Sequence, residues 1–80
     1  MNIPMQSPLV ILRLKQLQLR LGAARTTIYD WLNPKSPRYD PTFPKQIRLS
    51  RHSVGWLEHE VNDWLLGRIA ASRPLVRVER

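Results

Sequence analysis

Cysteine is absent from this chain, which excludes a disulfide framework and any thiolate zinc site. The two histidines, His52 and His59, are isolated and cannot hold a metal by themselves, so no metal site is expected. Glycine is scarce as well. With only Gly22, Gly55 and Gly67 there is no Gly-rich phosphate loop. No long apolar run occurs, and the amino end carries Pro4 and Pro8 in place of a signal or a membrane span. A cytoplasmic protein without a membrane partner is expected.

Eighty residues make one small domain whose interior is too small for a deep catalytic cleft, so an enzyme acting on a large substrate is not expected. The fold must stand on apolar packing. No enzyme constellation is present: Glu58, Glu60 and Asp63 are accounted for by a helix start, and Ser50 and Ser53 flank His52 with no orienting acid nearby. The chain reads as a non-enzyme without a cofactor.

Acidic residues are few, 6 against 13 Lys and Arg, and the formal charge is +7. A basic balance of this size points to a polyanionic partner. Residues 1–53 hold nine Lys or Arg against Asp30 and Asp40, a surplus of +7. Residues 54–72 hold Arg68 against Glu58, Glu60 and Asp63, and residues 73–80 restore +2. The excess therefore falls where a duplex-binding face is expected.

Residues 1–8 read as a flexible lead, residues 9–72 as the domain and residues 73–80 as a basic tail. Leu9 to Leu12 form a short apolar run, expected as an extended segment packed on the core. Leu14, Leu17 and Leu21 recur at helical spacing, and Gly22 ends that helix. A second helix is predicted from about Ala24 to Leu32, with Ile28 and Leu32 inward and Arg25, Thr26 and Tyr29 outward. Asn33-Pro34 stops it. The stretch from Asn33 to Lys45 contains Pro34, Pro37, Pro41 and Pro44, which stiffens a loop and forbids regular structure.

Ile47 and Leu49, then Val54 and Trp56, alternate as two strands of a hairpin turning at Ser50 to Ser53. A last helix is predicted from Glu58 to Ser72, with Val61, Trp64, Leu65, Arg68 and Ile69 on one face and acidic residues in its first turns. The fold class is mainly α with a small β-hairpin, in the outline of a winged helix-turn-helix.

In that outline the second helix enters the major groove. Arg25 suits a guanine, Thr26 and Thr27 suit phosphate or a thymine methyl, and Tyr29 reaches a phosphate through its hydroxyl. Thr27 serves equally well as a helix-start hydroxyl. Asp30 repels phosphate, leaving cytosine's amino group or a neighbouring cation as its partner. Arg48, Arg51 and Lys45 are the candidate contacts of the hairpin and its base. Trp31 reads as a core or rim aromatic, and His52 and His59 as surface residues.

Four blocks carry a resemblance: Leu12 to Leu17, Arg25 to Tyr29, Phe43 to Leu49, and Val54 to Leu65. In their order and spacing the chain resembles the AlpA family of phage and genomic-island regulators, small relatives of the excisionases in the MerR-like winged-helix group. The resemblance covers about residues 10 to 70 and implies sequence-specific binding to double-stranded DNA. It further implies a transcriptional regulator of an integrase gene or a recombination directionality factor, with an integrase as a further partner. The family pattern usually has a serine at Ala24, so Thr26 or Thr27 would have to supply the cap. The loop before Phe43 is longer than usual and offers Lys35 and Arg38 to DNA, or Tyr39 and Phe43 to a protein. So small a module is expected to act as a cooperative homo-oligomer on adjacent sites. The alternative is a protein-interaction adaptor in which Trp31, Tyr39, Phe43 and the tail bind an integrase or polymerase subunit.

Overall fold

The computed structural model describes residues 9–73. The lead at 1–8 and the tail beyond Arg73 lie outside the described residues. The elements run β1 (Ile11–Leu12), α1 (Leu14–Leu21), α2 (Arg25–Leu32), β2 (Ile47–Ser50), β3 (Ser53–Leu57) and α3 (Glu58–Ser72). Three helices thus accompany a three-stranded antiparallel sheet of order β1-β3-β2, so the strands are not a hairpin alone. The added strand is Ile11–Leu12, which pairs with Leu57 and Trp56. Two residues are too few to display a period of two, and their partner is remote in sequence.

Of the predicted apolar run only Leu12 is buried; Leu9 and Val10 are exposed, although the Val10 carbonyl accepts the Glu58 N–H at 2.8 Å. Helix α1 begins at Arg13, whose backbone N–H donates to Gln16 Oε1 at 2.8 Å and whose Nε donates to the Val54 carbonyl at 2.9 Å. The second bond ties the start of α1 to the central strand. It ends at Gly22, whose φ of 63° is left-handed and suits a residue without Cβ. Ala23 N–H then closes on the Gln18 carbonyl at 3.2 Å. The chain has turned by Ala24 and α2 follows.

Leu12, Leu17, Ile28, Phe43, Trp56, Val61 and Trp64 form the core. Every described element except β2 contributes to it, and the Pro-rich loop contributes Phe43. Gly55 stands in the central strand because β1 crosses there: a Cβ would lie 2.5 Å from Ile11 Cγ2 and 3.1 Å from the Leu12 carbonyl oxygen.

Helix α3 matches its predicted bounds, but only its first half packs. Val61 and Trp64 are buried and Leu65 is half-buried, whereas Arg68 and Ile69 of the predicted apolar face are exposed. So small a core covers about two turns of this helix, and the rest extends past it. Arg20 of α1 joins the packed half, donating to Glu58 at 2.8 Å and Asn62 at 3.2 Å. No described helix is long and apolar enough to cross a membrane.

Candidate nucleic-acid interface

Helix α2 has two chemically distinct faces. Ile28 is fully buried and Trp31 and Leu32 pack against the core, while Arg25, Thr26 and Tyr29 are exposed and Thr27 is half-buried. Arg25 and Tyr29, four residues apart, lie in one row, and the guanidinium stands 5.8 Å from the phenol ring centroid. That contact limits the freedom of a long cationic side chain on an otherwise open face. The helix opens at Ala24 with extended backbone and no side-chain cap, so neither Thr26 nor Thr27 supplies the missing one.

Asp30 is paired, as a neighbouring cation would have it: its Oδ2 lies 3.7 Å from Nη1 of Arg38 in the Pro-rich loop. Behind Asp30, Trp31 joins Phe43 and Trp64 in an aromatic trio with centroids 5.2, 5.1 and 4.9 Å apart. Edge-to-face and tilted packing of this kind adds to simple burial. Phe43 is 3% exposed and belongs to the core, which corrects the adaptor reading at that residue, while Trp31 stays half-buried.

The loop is held to both helices by Asp40. Its backbone N–H donates to the Trp31 carbonyl at 3.0 Å. Its carboxylate accepts from Thr42 N at 2.8 Å, from Thr42 Oγ1 at 2.5 Å and from Trp64 Nε1 at 3.2 Å, and Arg68 lies 3.6 Å away. Burial works against the charge, but the Thr42 and Trp64 bonds and the Arg68 charge outweigh it and hold this carboxyl below its ordinary range. Sequence reasoning missed this residue, because proline content marks a loop without showing what anchors it.

Tyr29 and Lys45 line one open cleft between α2, the loop and the base of β2, so the structure brings Lys45 close to α2. Arg48 and Arg51 form a second group on the hairpin. Arg48 Nη1 donates to the Arg51 carbonyl at 3.2 Å, bracing the turn that exposes Arg51 and His52. The charge surplus of residues 1–53 is narrower than a count implies, because Arg13 and Arg20 serve the fold through the bonds described above. His59 is exposed, in keeping with a surface role.

A family model described as "Prophage CP4-57 regulatory protein (AlpA)" matches residues 10–69. The chain is 57% identical over 63 residues to the DNA-binding transcriptional activator AlpA of Escherichia coli (strain K12), covering 79% of this chain and 90% of that protein. It is 34% identical over 62 residues to the uncharacterized protein ORF88 of Enterobacteria phage P4, covering 78% of this chain and 64% of that protein. No solved structure matches. The matched span takes in every element from β1 to most of α3, with the two-faced helix and its aromatic backing at its centre. This chain belongs to the AlpA family of prophage regulatory proteins.

Proposed function

We propose that this protein is a sequence-specific DNA-binding regulator of a prophage or integrative element, built as a winged helix-turn-helix. Helix α2 enters the major groove with Arg25, Thr26, Thr27 and Tyr29 toward bases and phosphates. The β2–β3 hairpin is the wing, with Arg48 and Arg51 at the adjacent minor groove or backbone, and Lys45 reaches a phosphate beside Tyr29. The observation that carries this reading is the division of α2: Ile28 is locked in the core while Arg25, Thr26 and Tyr29 stand in solvent. The relative in Escherichia coli is a transcriptional activator, which favours activation of a gene such as an integrase over repression and favours a regulator over an enzyme. Action as a recombination directionality factor, with an integrase as partner, is the second role of the same DNA-binding surface.

A reading head of one short helix covers few base pairs, so useful affinity comes from several copies on adjacent sites, aided by bending. Footprinting of DNA flanking the gene would show one protected block per copy and their spacing. Titration of Arg25→Ala at fixed salt is the direct test of the whole reading. Weaker binding with relaxed base preference is expected. Unchanged affinity would remove α2 from the interface.

A further inference from the structure

The Pro-rich segment between α2 and β2 is a series of hydrogen-bonded turns. Asn33 Oδ1 accepts from Lys35 N at 3.0 Å, Ser36 Oγ from Arg38 N at 3.0 Å, and Asp40 Oδ1 from Thr42 N at 2.8 Å. Backbone bonds Ser36 to Asn33 (2.9 Å), Tyr39 to Ser36 (3.0 Å) and Phe43 to Asp40 (3.1 Å) run through the same stretch. The Trp31 carbonyl and the buried Phe43 fix its far end. Four prolines restrict the backbone further. Arg38 is therefore presented from a stiff support at a set place beside α2.

That place is the exposed row of Thr26 and Asp30, which stand four residues apart on α2. The Arg38 guanidinium meets Asp30 there, and their side chains are 69% and 39% exposed. An ion pair so open to water holds its partners weakly. A guanidinium has five N–H donors, more than one carboxylate oxygen uses. Its remaining donors suit a phosphate, for which arginine is well shaped. The loop's cation thus meets the one acidic side chain of α2.

We propose that Arg38 is a phosphate-contacting residue, bridging Asp30 to the DNA backbone at the edge of the groove that α2 occupies. The inference rests on the DNA reading of α2. It makes the long loop a third contact element, and it accounts for an acidic residue on a helix that faces a polyanion. Asp30 then orients Arg38 and does not read a base.

The test measures salt dependence of binding to a duplex that the protein itself recovers from a random-sequence pool. Arg38→Gln should weaken binding and lower the salt slope by about 0.9, the loss of one phosphate contact. Arg38→Lys should retain the slope. The pair variant Asp30→Asn with Arg38→Gln separates contact from masking: a slope that stays reduced supports the phosphate contact. Recovery of the parent slope and affinity in that variant would overturn the proposal, as would an unchanged slope in Arg38→Gln. Arg25→Ala run in parallel tells the two readings apart. If it weakens binding while Arg38→Gln does not, only the loop contact falls; if it has no effect, the interface on α2 falls first.

Discussion

The carboxylate of Asp40 accepts the indole N–H of Trp64 at 3.2 Å, joining the middle of the Pro-rich loop to the packed half of α3. The same carboxylate binds Thr42 twice, so its removal orphans donors on two elements. Asp40→Asn should cost about 1–3 kcal/mol of stability at neutral pH, read from urea unfolding. Because the folded-state pKa lies below the ordinary value of 3.8, the carboxylate's stabilisation is complete above that value and is lost as pH falls through the folded-state value. The variant should therefore lose part of the acid-side fall in stability. An identical acid limb in both proteins would show that Asp40 does not drive it.

Gly55→Ala should destabilise by about 1–3 kcal/mol, since the added methyl meets Ile11 and the Leu12 backbone in the centre of the sheet. Amide exchange at Trp56 and Glu58, whose N–H groups face β1, should quicken, because β1 is the element displaced. Protection equal to the parent's would show that β1 is not displaced.

Ala24→Ser should stabilise. Ala24 has extended backbone at the N-cap and no side chain to bond the first turn of α2, and a serine cap is worth about 0.5–2 kcal/mol. A rise in melting temperature with unchanged DNA site preference is the expected result.

Gly67→Ala places a methyl in open space within α3, where nothing lies within 4 Å. It should add about 0.5–1 kcal/mol through helix propensity alone. DNA affinity should not change, because α3 lies outside the proposed interface.

Arg51→Ala tests the wing. If the exposed turn contacts one phosphate, the salt slope should fall by about 0.9. Arg48 donates to the Arg51 carbonyl, which the substitution keeps, so the turn itself should persist.

The helices and the hairpin were legible because their signals are local: leucine spacing in α1, Gly22 after it, and acidic residues opening α3. Strand β1 was not, since a two-residue strand is defined by its partner and not by its own pattern. The exposed end of α3 misled for a related reason. Ile69 continues the apolar stripe of Val61, Trp64 and Leu65, but the stripe is longer than the core it faces. On α2, residue type and spacing were sufficient to set Arg25, Thr26 and Tyr29 outward. The pairing of Asp30 with Arg38 was foreseeable only as the need of a lone carboxylate for a cation, because its partner comes from a loop whose path depends on Asp40 and Phe43.

The division of α2 into a locked side and an open side also bears on how such regulators diverge. Arg25, Thr26 and Tyr29 point away from the core, so replacing them leaves the packing intact, whereas Ile28 and Trp31 cannot change without disturbing the residues around them. If α2 reads the operator as proposed, operator preference can drift among relatives faster than the scaffold, and a small set of exposed positions would be enough to retarget the protein to new DNA.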